Sequence, residues 1–445
     1  MSIAVLLFFF GLLITIIYSN SEKRFLTLVI GTVIFPNVAL FTLNPSISPQ
    51  HIILYVYFIV EFFKDRENFN RSIFFNILTI PILLNIISYI FTAIYNSGIA
   101  SKDMYYGVRD AIDCLGYIYA AYLYARHVGI NNFAIKLVPF VYIICFCGIV
   151  EIMLSDNIPY RMVCAAFPHY NGSFDLNSKV SLIESWRLRT FFTTKHPTAF
   201  GMLLMSLFLF YLPYLKKDSV DRKKILLVLL LLTLNIILCG SRTALVCALL
   251  GVALLIFDRV GPFIKFLIAG IVVFSFSALF SFMLDNFQTS HAGKGSSLDF
   301  RERQLLFTLV SISNSPIFGN GNKFTSHVIF AEDTRAQDNH GDDLGGLESV
   351  VFSLLIDRGF FGLFSYYLLL LWMFIILFRH RKAPLISGGF ALIAAGTVFV
   401  TLSGTIGNCS QFLFLLAGCQ LGQIAKEKND ELEADENTSL DGAKE

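Results

Sequence analysis

Apolar residues run along this chain in long blocks, separated by short polar connections that are rich in Lys and Arg. A helix needs roughly 20 mostly apolar residues to cross about 30 Å of hydrocarbon. By that measure, spans are predicted near 3–18, 25–43, 49–63, 73–94, 107–125, 136–154, 198–214, 225–240, 242–257, 266–284, 360–378, 384–403 and 408–425. The fold class predicted is all-α, a polytopic membrane protein of about thirteen spans filling 1–425 as one membrane domain. The first block has no basic leader and no small-residue cleavage site, so it reads as a retained span.

Basic residues in short loops set orientation. Lys23 and Arg24, then Lys64, Arg66 and Arg71, then Arg126, mark alternate connections. Lys216 to Lys224, Arg259 with Lys265, and Arg379 with Arg381 and Lys382 continue the series. All fall on one side under this reading, which predicts an outer N-terminus and an inner C-terminus. Residues 426–445 are acidic, lack apolar periodicity and read as a disordered cytoplasmic tail. No internal repeat of the kind found in inverted-repeat transporters is visible.

Two long outer-side segments interrupt the pattern, at about 155–197 and 285–359. Loops of such length are usually functional or disordered, and these carry aromatics, Arg, His and Asp rather than Ser/Gly filler. The second predicts an amphipathic helix at 300–313, with Phe300, Leu305, Leu306, Leu309 and Val310 on its apolar side. The turn Asn314-Ser315-Pro316 and the Gly-rich Phe318-Gly319-Asn320-Gly321 follow. Leu347 to Asp357 is apolar but too short to cross, and reads as a half-helix at the outer interface.

Composition narrows the class. Of 445 residues, 55% are hydrophobic and 15% charged, with mean hydropathy +0.66; soluble domains carry about 25% charged residues. A formal charge of +2 gives no global field to recruit nucleic acid. The eight Cys show neither CxxC spacing nor Cys/His clustering, which argues against a zinc site or a disulfide framework.

Polar groups at membrane level are expensive and point to function. The first cluster, Arg187 to Pro197, places Arg187, Arg189, Lys195 and His196 just before an outer helix start. That suits an anion site reinforced by the helix N-terminus; snorkelling towards headgroups is the plainer alternative. Arg242 in the tight turn Gly240-Ser241-Arg242-Thr243 fits either a phosphate or a buried acid. Arg301 and Arg303 lie on the predicted 300–313 helix, where Arg301 and Gln304 share a face with Leu305. Solvated charge is the alternative there. Asp338 to Asp343 lacks the spacing of a calcium loop. Glu348 opens the half-helix, where partial desolvation makes a carboxylate a better base; a helix-dipole charge is the other reading. Arg109, Asp110, Asp113 and Glu151 fit internal pairing, a counter-charge for the Arg groups or a proton path.

These motifs, in this order, resemble the O-antigen ligase/polymerase family of bacterial envelope glycosyltransferases. The residues concerned are Arg187 to Gly201, Gly240-Ser241-Arg242, Arg301-x-x-x-Leu305, Ser315-Pro316-Ile317-Phe318-Gly319-Asn320-Gly321, and Glu348-Ser349-x9-Gly359 with Gly362. The first 150 residues match in hydropathy only. The resemblance implies an undecaprenyl-diphosphate-linked oligosaccharide as substrate, at the outer face of the bacterial inner membrane. It implies no metal or other cofactor, and partners limited to membrane lipid, a chain-length regulator and a flippase, with no nucleic acid. Ligases of the family carry His where this chain has Glu348, which leans the reading towards a polymerase; His340, eight residues upstream, is a second candidate base. Arg187, Arg189, Lys195, His196, Arg242, Arg301 and Arg303 are then the diphosphate-binding candidates. A ligase is the alternative, and a lipid-linked oligosaccharide flippase or other transporter is a third reading.

Overall fold

In hydrocarbon every backbone N–H and C=O must be paired within the chain, so apolar runs of this length become helices. The computed structural model describes residues 2–35, 47–64, 77–96, 100–167, 183–184, 187–194, 196–216, 221–257, 297–322, 324–325, 347, 349–383, 385–403 and 409–442. The first part of the chain forms α1 (Ser2–Tyr18), α2 (Ser21–Ile34), α3 (Pro49–Lys64), α4 (Thr79–Tyr95), α5 (Ala100–His127), α6 (Ile130–Leu154) and the short α7 (Ile158–Ala166). Two-residue strands β1 (Ile183–Glu184) and β2 (Arg187–Leu188) then pair antiparallel. Next come α8 (Pro197–Tyr211), with a 3₁₀ turn Leu212–Lys216, then α9 (Arg222–Leu238), α10 (Arg242–Phe257) and α11 (Ser297–Ile312). The chain ends with α12 (Val350–Arg379), α13 (Ser387–Ser403) and α14 (Cys409–Gly442).

A helix stands at each predicted span except 266–284, which lies outside the described residues, as does most of the second outer segment. Among the described residues, three helices are long and apolar enough to cross a membrane: Ile130–Leu154, Pro197–Leu215 and Val350–Arg379. The last helix differs from expectation, because its helical backbone continues to Gly442 through the acidic segment. Glu, Lys, Ala and Leu are good helix formers, and a helix already started by the apolar residues before them need only be extended.

The core is a set of crossing helices. Helix α8 lies at its centre, with nearly every side chain buried against α9, α10, α13 and α14. Helices α5 and α14 make the most extensive contact. Small residues let their backbones meet: a Cβ on Gly418 would stand 2.5 Å from the Ile118 carbonyl, and one on Gly422 would stand 2.5 Å from that of Tyr122. Ala121 and Ala125 complete this small-residue seam. Helix α8 is joined to α10 in the same way, since a Cβ on Gly201 would lie 2.8 Å from Ala244 Cβ and Ser241 Cβ.

Helix α12 is broken at Gly359, whose φ of 64° and ψ of −165° suit glycine only. The break separates a half-helix, Val350–Arg358, from a long apolar segment, in accord with the half-helix and span read from the sequence. It strands backbone groups that the loop after α11 satisfies. Phe360 N and Phe361 N donate to the carbonyls of Pro316 (2.8 Å) and Ile317 (3.0 Å), while Ile356 and Asp357 carbonyls accept from Asn320 N (2.9 Å) and Gly321 N (3.1 Å). Each such bond contributes about 0.5–1.5 kcal/mol net, but leaving a buried group unpaired costs about 1–3 kcal/mol. Gly319, with φ of 71°, is pressed against the Asp357 and Arg358 backbone and leaves no room for a side chain.

The face of α11 is the reverse of the predicted one. Gln304 and Thr308 are fully buried, whereas Leu305, Leu306, Leu309 and Val310 are 43–71% exposed. A helix beside lipid turns its apolar side outward and its small polar groups towards protein, which inverts the soluble amphipathic rule.

Candidate functional site

The segment after β2 is held by Glu151 at the end of α6. Its buried carboxylate accepts from Phe191 N (3.1 Å), Phe192 N (3.0 Å) and Asn157 Nδ2 (2.8 Å), and Asn157 also donates to the Phe192 carbonyl (2.5 Å). Phe192 is thereby kept at φ 48°, a conformation non-glycine residues rarely adopt. Thr193 Oγ1 donates to the Val33 carbonyl (2.9 Å). Thus Glu151 clamps the chain between β2 and α8, and neither bonds the Arg groups directly nor resembles a proton path. The sequence marked its burial but not this role.

That clamp positions Arg189. Its guanidinium donates to the carbonyls of Cys239 (3.1 Å, from Nε) and Gly240 (3.2 Å, from Nη2), and so grips the turn between α9 and α10. Ser241 caps α10, its Oγ accepting from Ala244 N at 3.3 Å. Arg242 is the first residue of α10 and is exposed. Thr243 Oγ1 accepts from Ser403 Oγ at 3.0 Å, at the end of α13. Two residues earlier, the Thr401 carbonyl accepts from Ser349 Oγ (2.6 Å), the N-cap of α12, which also accepts from Val351 N (3.2 Å). His196 caps α8 through Nδ1, which accepts from Thr198 N at 3.2 Å and so leaves its proton on Nε2.

These bonds draw the N-termini of α8, α10 and α12 to one end of the bundle. Each presents first-turn N–H groups and partial positive charge. An acidic residue in the first turn would stabilise such a terminus, yet none of the three helices has one. Arg242 instead adds a cation at the unfavourable end of its helix. Helix N-termini gathered in this way favour an anionic ligand.

The other predicted residues are distributed as follows. Arg187 lies in β2, with its backbone paired to Glu184. Arg301 lies in the first turns of α11, and Arg303 is exposed on the same helix. Lys195, His340 and Glu348 lie outside the described residues, although Ser349, next to Glu348, is at the site. Among the described residues no group of three His, Cys, Asp or Glu gathers to hold a metal ion. Arg109 pairs with Asp110 (3.2 Å), and Asp113 pairs with His51 Nε2 (2.6 Å). His51 Nδ1 in turn accepts from Ser48 N at 3.0 Å, much as a capping-box side chain does.

A second polar group, missed in the sequence, lies at the break in α12. Arg358 is 3% exposed; its Nη1 donates to Asn85 Oδ1 and Ser88 Oγ, both at 3.2 Å, and its guanidinium stacks 3.9 Å over the Tyr89 ring. Asp357 accepts from Thr325 N (2.8 Å) and Oγ1 (2.5 Å). Asn322 Nδ2 donates to the Tyr89 carbonyl at 3.1 Å.

Apolar helices of membrane-crossing length define a membrane protein. Residues 227–367 match the model of the O-antigen ligase family. The matched stretch takes in the Gly240-Ser241-Arg242 turn, α11, the Ser315–Gly321 loop and the broken helix, so the resemblance seen in those motifs holds there. Proteins of this family are glycosyltransferase-like enzymes, ligases and polymerases. No curated protein matches the chain.

Proposed function

We propose that the chain is a polysaccharide polymerase of the bacterial inner membrane. It transfers undecaprenyl-diphosphate-linked glycan onto a lipid-linked repeat unit at the outer face. The polymer is an O-antigen, capsule or exopolysaccharide, and a chain-length regulator and a flippase act alongside. The observation that carries this reading is the meeting of three helix N-termini with Arg189 and Arg242 beside Ser349, the neighbour of Glu348.

The chemistry follows from the residue types. The acceptor hydroxyl oxygen attacks the anomeric carbon of the donor sugar, and the bond from that carbon to the diphosphate oxygen breaks. The diphosphate leaves with the electron pair, and the hydroxyl proton passes to Glu348, with His340 the second candidate. A diphosphate is already a good leaving group, so one base suffices where a glycosidase needs two carboxylates. The protein's task is to stabilise departing charge. Arg187 or Arg189, Arg242 and Arg301 supply it, with Lys195, His196 and Arg303 around them. Each charge-assisted hydrogen bond is worth roughly 1.5–3 kcal/mol, so two gripping the transition state more tightly than the ground state give about 10²–10⁴ in rate.

A ligase is the second reading, since the family includes ligases; Glu348 in place of the ligase His favours the polymerase. Deleting the gene and resolving surface glycan and lipid-linked intermediates on gels tests the choice. Lipid capped by a single repeat, with no ladder, supports the polymerase. Long polymer stranded on its carrier supports the ligase. Single repeats trapped on the cytoplasmic side would overturn both in favour of a flippase.

A further inference from the structure

Helix α5 carries a polar stripe on a buried face. Asp113, Tyr117 and Tyr124 recur at the spacing that lines up one side of a helix, and all three are buried. From Asp113 to Tyr124 the stripe rises roughly 17 Å at about 1.5 Å per residue, over half the hydrocarbon thickness. Helices α2 and α3 add to it. Thr32 stands beside the Tyr117 hydroxyl, and Tyr57 lies within electrostatic reach of Tyr124. Phe25 packs against the rings of both Tyr57 and Tyr124.

The two ends of the stripe are built alike. At one, Asp113 Oδ2 accepts from His51 Nε2 at 2.6 Å. The His51 ring is neutral there, because its Nδ1 accepts from Ser48 N. Tyr55 also faces this carboxylate, and Asp110, one turn nearer the start of α5, is partly exposed. At the other end, Glu22 Oε2 pairs at 2.5 Å with Nζ of the exposed Lys136. The second oxygen of each carboxylate, Asp113 Oδ1 or Glu22 Oε1, is buried without a hydrogen-bond partner among the described residues. The Tyr124 hydroxyl is in the same condition. Asp113 acts electrostatically on Tyr117, and Glu22 acts on Tyr124. Arg24 and Glu61, paired at 2.6 Å, flank Tyr57.

A packed helix seam gains nothing from such groups, since apolar side chains would fill the same space and an unpaired buried oxygen raises the energy of the fold. Two acids, each with one oxygen held by a base and the other open, are joined here by hydroxyls. A hydroxyl both donates and accepts, which is what a proton relay requires.

We propose that the seam between α2, α3 and α5 carries protons between the two faces of the membrane, from Asp113 through Tyr117, Tyr57 and Tyr124 to Glu22. A proton taken up on Asp113 Oδ1 moves to the Tyr117 oxygen as that hydroxyl passes its own proton onward. Glu22 releases one at the far end. Every residue finishes with the protons it began with, so no oxidant, reductant or other reactant takes part. Intervals longer than a hydrogen bond are closed by bridging water. This activity is separate from glycan transfer, and none of its residues falls within 227–367.

The test uses the full-length protein in liposomes loaded with pyranine, under a potassium diffusion potential set by valinomycin. Proton entry should run roughly tenfold or more above protein-free vesicles, and Asp113→Asn, Tyr117→Phe and Tyr124→Phe should each return it to that level, a positioned proton-transfer group being worth about 10² or more in rate. The Phe variants keep the ring and lose only the hydroxyl, so their monodispersity should match the wild type. Thr190→Val removes a buried hydroxyl from a segment outside the stripe and should leave the flux unchanged. Wild-type flux at the protein-free rate would overturn the path. So would flux that persists in Asp113→Asn or in both Phe variants, or an equal loss in Thr190→Val.

Discussion

Two arginine environments stand at opposite ends of one half-helix. At the C-terminal end, Arg358 is buried, bonded to Asn85 and Ser88 and stacked on Tyr89. At the N-terminal end, Arg189 grips carbonyls of the α9–α10 turn, and Arg242 is exposed on a helix terminus already positive. The first arrangement lowers the energy of the protein by itself. In the second, Arg242 lies at the helix end that disfavours a cation. A buried, stacked arginine reads as scaffold, and an exposed one at a helix N-terminus reads as a place for an anion.

That contrast is sharpest if Glu348 acts as the base. Glu348→Gln should fold and insert normally yet lose about 10²–10⁴ in polymer synthesis, the range of general-base catalysis; wild-type chain lengths on a gel would remove it from the site. Next in size, Arg358→Leu should reduce folded protein rather than turnover. It leaves Asn85 Oδ1 without the Arg358 donor, while Ser88 keeps its bonds to Asn85 and Ser365, a cost of about 1–3 kcal/mol for the unpaired acceptor, visible as a lower midpoint of thermal unfolding in detergent. A variant of full stability and no activity would reverse the assignment of the two arginines.

Arg242→Lys should behave oppositely, with unchanged unfolding but turnover down roughly 10–100-fold, because Lys offers a point charge instead of a fork. Arg301→Lys should follow it; normal turnover in either would exclude that residue. The smallest effect is expected at Thr190, which is fully buried with an unpartnered hydroxyl. Thr190→Val keeps the shape and removes that group, so thermal stability should rise by up to about 1 kcal/mol with activity intact. A loss of activity there would mean the hydroxyl serves the site after all.

The helices and the site were legible in the sequence to different depths. Apolar blocks place helices directly, because lipid leaves the backbone no other solution. The half-helix was legible as well, since Leu347 to Asp357 is too short to span and Gly359 follows it. Arg189 and Arg242 were visible as costly cations. Hidden was everything that depends on distant partners: Glu151 clamping Phe191 and Phe192, forty residues away, and Asn320 and Asn322 tying a loop to α12 and α4. The face of α11 was misread because the rule for its period holds in either solvent, but the rule for its direction assumes water. The helical path to Gly442 escaped a reading based on apolar periodicity, since extending a helix needs only residues that tolerate one.

The gathered N-termini of α8, α10 and α12 have a consequence for how this site yields to mutation. Their positive potential belongs to peptide groups, which every residue type carries, so no substitution of a side chain erases it and no change of pH titrates it. A mutational scan would thus record the arginines and miss this contribution. By the same token, sequences could drift far apart around such a site while its field stayed in place, provided the three helices still began together.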